Sequence, residues 1–592
     1  MKKIINRPEN VVMEMCHGME LAYPGLKWDR TYKVLSRKHR NADKVSLISG
    51  GGSGHEPAHA GFVGTGMLDA AVCGDVFASP SQVQVYQAIR ETQSSKGTLL
   101  IIKNYSGDIM NFKNAAYLAR EDGIEVDYVK VDDDIAVQDS LYTVGHRGVA
   151  GTVFVHKIAG AAAERGYDLA KVKELAQRTV DHVKTIGFAE TSFTVPAKGT
   201  PTFDIGEDEI EYGVGIHGEP GIRREPMADA DTLARRMVAQ LLQALELSGE
   251  EQAEVALLVN GLGGTPAQEL YVLNHSVRKV LAERPNLKVV YTLVGNYMTS
   301  IDMAGASISI LHLDPELKEL LFDPCDTAAL KLSGGHEPVA YAPIEGEAEQ
   351  AAQVSYQLES DPDWAIIRDG QLSRANLIYL VDAMSACVIR NEVPFCELDS
   401  HAGDGDFGMS VAKGFRRLKE QWSKVVGETE GISDFLHGCS MIIMEHCGGA
   451  SGPIWGSAFR AAARSCEGKE VLDQQAFAQL LDGVVKGIQA TGERSFGRGA
   501  VVGDKTLMDA MIPCAQIWQE QAGKGRSMKE LFRMGAQAAV DGAKQTEQIV
   551  ARMGRAGTVG ERSLGYPDAG AYALGVIFTE LAGRMEEAET AV

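Results

Sequence analysis

Three aspartates, Asp399, Asp404 and Asp406, crowd the segment Leu398-Asp-Ser-His-Ala-Gly-Asp-Gly-Asp-Phe-Gly408, with glycines at 403, 405 and 408. Carboxylates this close repel one another unless a cation lies between them, and the glycines let the loop fold so that all three converge. Hard oxygen ligands favour magnesium and phosphate chemistry, whereas the spacing and terminal Glu of an EF-hand calcium loop are absent. The bland alternative is a solvated acidic turn. Two glycine-containing segments nearby suit phosphate. Cys447-Gly-Gly-Ala-Ser-Gly-Pro453 precedes a helical stretch whose positive end can hold phosphate oxygens, and Gly503-Asp-Lys-Thr-Leu-Met508 precedes another. A third loop, Gly554-Arg-Ala-Gly-Thr-Val-Gly-Glu-Arg-Ser563, leads into Tyr566-Pro-Asp-Ala-Gly570.

A second constellation lies upstream. Gly50-Gly-Gly-Ser-Gly-His-Glu-Pro-Ala-His59 follows a β-rich run, and its glycines permit a sharp turn that brings backbone N–H groups to a small ligand. It lacks the G-x-G-x-x-G spacing of a dinucleotide site and the Lys-Ser or Lys-Thr of a P-loop. Three more segments accompany it: Cys73-Gly-Asp-Val-Phe-Ala-Ser-Pro80, Lys103-Asn-Tyr-Ser-Gly-Asp108 and Gly213-Val-Gly-Ile-His-Gly-Glu-Pro-Gly221. In the last, His217 sits among glycines and a proline, so a loop presents it. Asp108 has a bland reading as a helix cap, His55 as a structural donor and Lys103 as a surface cation.

The elements that must position these residues change character along the chain. The runs Val45–Ser49, Thr98–Lys103, Val126–Lys130, Val255–Val259 and Val289–Val294 alternate with helical stretches. That predicts α/β layers with ligand groups on loops at strand ends. From about Gly334 to Asp369 the pattern dissolves into Pro, Gly, Glu and Asp, which marks a domain boundary. After Gln371, apolar residues recur at helical spacing through Leu377–Val388, Phe435–Met444, Phe477–Ile488, Leu531–Ala539 and Tyr572–Leu581, which predicts an all-helical domain. The expected organisation is an α/β ligand-binding domain over 1–335, a linker over 336–370 and a helical domain over 371–592.

With 592 residues, more than one hydrophobic core is expected. A net charge of −22 argues against nucleic acid or an anionic membrane as partner, though not against a nucleotide whose charge a metal offsets. The nine cysteines form no Cys-x-x-Cys pair and read as reduced. With no charged-then-apolar leader and no apolar run of membrane-spanning length, a cytoplasmic enzyme is expected.

The four upstream segments together resemble the substrate-binding domain of the dihydroxyacetone kinases over about residues 1–335, and the downstream set resembles their nucleotide-binding domain over about 371–592. The resemblance implies that the helical domain is an antiparallel helical barrel holding two magnesium ions and ATP. It implies that His217 forms a covalent hemiaminal with a ketose, that Asp108 is the general base and that His55 hydrogen-bonds the substrate or its base. Gly52, Ser53, Gly54 and Lys103 would hold the sugar. Asp399, Asp404 and Asp406 would bind metal, and Ala450, Ser451, Ile454, Gly499, Met508, Arg555 and Asp568 would contact the nucleotide.

The implied reaction is phosphorylation of the terminal hydroxyl of dihydroxyacetone. An erythrulose kinase, an FMN-cyclising lyase and a non-catalytic sugar sensor are the rivals. Relatives fed by a phosphorelay usually keep the two domains as separate chains, so fusion favours ATP. The family's domain-swapped homodimer would let the two sites meet. Phe407, where the family more often has a small polar residue, departs from the pattern.

Overall fold

The computed structural model describes residues 2–138, 144–247, 249, 251–335, 337–344, 357–553, 557 and 560–588. The chain divides into two compact units, Met1–Ile344 and Glu345–Val592. Among the described residues, no helix is long and apolar enough to cross a membrane.

The first unit is built on two six-stranded sheets. In one, Ser46–Ser53 pairs in parallel with Ala70–Val76 and Thr98–Lys103, and the latter pairs in parallel with Val126–Val131. Ser46–Ser53 and Thr98–Lys103 are buried along their whole length, as strands covered on both faces must be. The second sheet is mixed. Ala253–Gly261 runs parallel to Leu287–Gly295 and antiparallel to Gly305–Leu313, which pairs with Val183–Ala189. Glu209–Tyr212 continues this sheet from Val183–Ala189.

Helix Thr152–Glu164 is buried from Thr152 to Ala163, because it lies between the sheets. Its apolar side chains share one core with Leu47 and Leu99 of the first sheet and Ala256, Leu258 and Leu311 of the second. Helices Gln82–Glu91 and Ser106–Glu121 cover the outer face of the first sheet. Ala230–Ala244 and Ala267–Ala282 cover that of the second. The result is five alternating layers of helix and sheet. All five β-rich runs expected from sequence are strands here.

The second unit is helical. Eight helices adjoin in a closed ring: Arg374–Arg390, Phe407–Glu420, Ile432–His446, Ser451–Ser465, Gln474–Phe496, Met508–Gln521, Met528–Gln545 and Ala569–Arg584, which returns to the first. Each turns an apolar stripe inward, and Trp455, Phe477, Trp518 and Phe532 fill much of the interior. Each helical stretch expected from sequence lies inside one of them. The fold is thus an α/β region followed by an antiparallel helical barrel.

The segment before the barrel is not a free tether throughout. Glu359 N, Ser360 N and Ser360 Oγ all donate to Asp382 Oδ2, at 2.8, 2.7 and 2.8 Å, so this part of the expected linker packs on the helical unit. Asp382 Oδ1 accepts from Lys419 Nζ at 2.5 Å, and both side chains are fully buried. Lys419 Nζ also lies 3.1 Å from Glu359 Oε1, which is partly exposed, so loss of Asp382 removes the buried counter-charge of the ammonium. Asp382→Ala is therefore expected to destabilise the helical unit by about 3 kcal/mol, read as an earlier transition in urea unfolding followed by far-UV circular dichroism.

Candidate active site

The first site forms where Ser46–Ser53 and Thr98–Lys103 end, at the carboxyl edge of their sheet. The strand passes close against the next loop at Gly52, and the chain turns out of it at Gly54, at φ 109°. A Cβ at Gly52 would lie 2.7 Å from Ala78 N and 2.8 Å from Phe77 Cα. That turn delivers His55 into the interior, fully buried. Its Nδ1 lies 2.8 Å from the carbonyl oxygen of Thr299, an acceptor, so Nδ1 carries the proton. Burial, then Lys103 and His217, push His55 well below the ordinary histidine range, which leaves Nε2 with a lone pair at neutral pH.

His217 comes from the other sheet, on the loop that follows Glu209–Tyr212. Its Nδ1 is 3.1 Å from Glu219 Oε1, and its backbone N–H donates to Glu219 Oε2 at 2.9 Å. Burial alone would raise Glu219, but the hydrogen bond from His217 and the charges of His217 and Arg147 bring it down to about 2. Glu219 is thus a carboxylate that takes Nδ1–H of His217. The other nitrogen, Nε2, faces His55 Nε2 at 3.1 Å. Aromatic rings box the imidazole: Tyr105 lies edge-on at 4.6 Å, and Phe77 lies edge-on at 5.2 Å while stacking on His55 at 5.0 Å.

Asp108 sits in the first turn of Ser106–Glu121, whose N-cap position is Tyr105, so it is not the cap. Its Oδ1 accepts from Ser79 Oγ, and its Oδ2 lies 3.9 Å from Lys103 Nζ. Lys103 is fully buried rather than on the surface, and burial lowers its ammonium. Among the described residues, Lys103 Nζ, Tyr105 Oη and Arg147 Nη1 are buried here with no hydrogen-bond partner. Buried donors left open in this way suit a small polyhydroxy ligand.

Ser53 Oγ donates to Gly74 O at 2.7 Å, so its hydroxyl already serves the fold. Gly54 N donates to Glu56 Oε2 at 2.9 Å. Glu219, Tyr105, Arg147 and Phe77 were not singled out from sequence. The Gly213–Gly221 and Lys103–Asp108 segments contain two of them, but only folding shows which way they point.

In the helical unit, Asp399 ends Glu392–Asp399, and Asp404 and Asp406 follow on the glycine turn. One oxygen from each lies within 4.8 Å of the others. Gly403 is required for this approach, since a Cβ there would lie 2.3 Å from Asp399 Oδ1. Burial first, then the charges of Asp404 and Asp406, raise Asp399, as expected of acids gathered close together. The donor set therefore fits a hard divalent cation.

These aspartates line a cavity of about 230 Å³ together with Ala450, Ser451, Ile454, Met508 and Asp568. Gly499 does not line it, although its neighbour Ala500 does. Arg555 lies outside the described residues. Phe407 also lines the wall and packs on Phe395, so this departure places an apolar face beside the aspartates. Lys505, not selected from sequence, is buried and donates to three carbonyls, of Thr546, Ser563 and Tyr566, which ties together the loops around the cavity.

Residues 17–329 match the Dak1 domain and residues 401–583 the DAK2 domain. Over 585 residues the chain is 33% identical to an L-erythrulose kinase of Pectobacterium atrosepticum, across 98% of this chain and 95% of that protein. The chain belongs to the dihydroxyacetone kinase family. A triokinase/FMN cyclase of Rattus norvegicus is 32% identical over 591 residues, across 98% and 97% of the two chains. The crystal structure of the dihydroxyacetone kinase from C. freundii in complex with AMP-PNP and Mg2+ superposes with a TM-score of 0.57 at 29% identity, covering 98% of this chain and 99% of that one. Both domains of the fused family members are therefore present in order.

Asp568 offers a test of the second cavity. Burial, then the negative charges of Asp509 and Asp399, raise it from 3.8 to about 7. Between those values the folded chain holds a proton that the unfolded chain has lost, so stability falls as pH rises through this window. Asp568 Oδ1 caps Ala569–Arg584 by accepting from Ala571 N at 2.8 Å, and Asn can do the same. In metal-free protein, Asp568→Asn is expected to melt above wild type at pH 8, with a smaller advantage at pH 5, by differential scanning calorimetry.

Proposed function

We propose that this protein transfers the γ-phosphoryl group of ATP to the terminal hydroxyl of a short-chain ketose, dihydroxyacetone first among them. The observation that carries the reading is the contact of His217 Nε2 with His55 Nε2 at 3.1 Å, with the far nitrogen of His217 held by Glu219.

Two nitrogen lone pairs cannot face each other at that distance, so the contact holds one proton. When a ketone enters, the Nε2 lone pair of His217 adds to the carbonyl carbon and the π electrons move to oxygen. The shared proton passes to that oxygen through His55. The product is a hemiaminal hydroxyl on an imidazolium whose Nδ1–H faces the Glu219 carboxylate. The charge is the same before and after, and a flexible substrate is fixed in one pose. Glycerol has no carbonyl and cannot be held in this way.

Asp108 would then accept the proton of the reacting hydroxyl through Oδ2, while Ser79 holds its other oxygen. Lys103 Nζ and Tyr105 Oη, both without a hydrogen-bond partner among the described residues, would take substrate oxygens, and the backbone of Gly52–Gly54 would close the pocket. In the helical unit Asp399, Asp404 and Asp406 would hold magnesium, which supplies the positive charge that phosphoryl transfer requires. Ala450, Ser451, Ile454, Met508 and Asp568 would bound the nucleotide. The C. freundii complex with AMP-PNP and Mg2+ supports both ligands. A homodimer follows the family pattern. The domain limits would be 1–335, 336–370 and 371–592.

A four-carbon ketose is the nearest alternative substrate, favoured by the erythrulose kinase relative. FMN cyclisation is a second reading, favoured by the triokinase/FMN cyclase relative and by a metal cluster that needs no residue of the first unit.

An ADP-release assay with ATP and magnesium is expected to show turnover of dihydroxyacetone or an erythrulose but not glycerol, and His217→Ala should abolish it. Turnover of a flavin dinucleotide to cyclic FMN with release of its AMP half, surviving in His217→Ala without turnover of any ketose, would favour the lyase. Glu219→Gln removes the charge that faces the imidazolium while keeping its shape. It is expected to lower kcat/KM for the ketose by about 100-fold, with the melting temperature at pH 7 changed little enough for the assay to be read.

A further inference from the structure

The valley between helices Ser451–Ser465 and Gln474–Phe496 holds an open cleft of about 740 Å³, remote in its lining from the aspartate cavity. Arg460 and Arg464 rise on one wall, Lys486 and Arg494 on the other, with the hydroxyls of Ser457 and Thr491 between them. No Asp or Glu lines it, although the chain carries 80 acidic residues against 58 basic ones. Lys486 is neutralised by Asp482 at 2.6 Å. Among the described residues, Arg460, Arg464 and Arg494 have no hydrogen-bond or ion-pair partner. In a chain with surplus carboxylate, three unpaired guanidiniums around one concavity stand apart from an ordinary solvated face.

The register of the two helices sets the spacing of these charges. Thr491 Oγ1 donates to Ser457 Oγ at 2.7 Å, and a Cβ at Gly487 would lie 2.6 Å from Ala461 Cβ, so the helices run antiparallel and touch at the floor. Arg460 and Arg464 lie a turn apart on one side of the Ser457–Thr491 contact and Arg494 on the other. At about 1.5 Å per residue the three span roughly 15 Å. A single phosphate would meet one of them. An extended anion with several phosphates would meet all three, and guanidinium pairs with phosphate oxygens in bidentate fashion.

We propose that this valley is a binding site for an anion bearing two or more phosphate groups, separate from the metal-nucleotide site. The site is cationic by itself and needs no metal. The aspartate cavity, by contrast, repels a polyphosphate when no divalent cation is present.

Isothermal titration of the full chain with sodium tripolyphosphate in EDTA therefore isolates the valley. The expected result is one site per chain that weakens as salt rises. Inorganic monophosphate should bind at least tenfold more weakly. Arg460→Ala/Arg494→Ala should lose at least tenfold in affinity with an unchanged melting temperature, and Arg460→Lys/Arg494→Lys should recover part of the loss. Absence of binding to wild type, equal affinity in the alanine variant, or tighter binding of an acidic peptide of the same charge would each overturn the proposal.

Discussion

Two imidazole nitrogens 3.1 Å apart can remain neighbours only with a proton between them, and much of the first unit serves that contact. His55 is fixed from behind by the Thr299 carbonyl and His217 by Glu219, each taking the Nδ1–H of its ring. The two rings arrive from different sheets. Neither loop alone could align them, so the five-layer stack has a functional consequence: it holds the ends of two sheets in a constant relation. Arg147 belongs to the same arrangement. It donates to Asp134 at 2.6 Å and to the Gly213 carbonyl at 2.7 Å, anchoring the loop that carries His217 and adding positive charge beside Glu219.

The helical unit meets the opposite electrostatic problem. The first site orders two imidazoles and one carboxylate, whereas the second gathers three carboxylates within 4.8 Å of one another. Burial and neighbouring carboxylates raise Asp399 and Asp568 there. Lys505 offsets part of the rise at Asp568, yet its ammonium is committed to three backbone carbonyls and cannot serve as a mobile phosphate ligand at the same time.

Much of this was legible in the sequence because the relevant signals are local. The glycine turn at Gly50–Gly54, the loop-borne His217 and the aspartate segment each declare themselves within about ten residues, and the switch from β-rich runs to helical periodicity separates the units. What was not legible depends on distant partners. Glu219 reads as one more loop acid until its oxygens are seen on His217, and Tyr105 as one more aromatic until its hydroxyl proves buried and open. The strands Val183–Ala189 and Gly305–Leu313, which centre the second sheet, carry no strong alternation because both faces are covered. Ser53 is similar: its hydroxyl donates to the Gly74 carbonyl, a contact 21 residues away that no local pattern announces.

The central claim is that a ketose is held covalently on His217 before transfer. Carbon-13 NMR of dihydroxyacetone labelled at its carbonyl carbon, bound to the protein without nucleotide, tests it most directly. The account predicts that the ketone resonance of the bound molecule is replaced by one in the tetrahedral-carbon region, and that His217→Ala abolishes the new signal. A bound ketose whose carbon keeps its ketone resonance, or a tetrahedral signal that survives in His217→Ala, would contradict it.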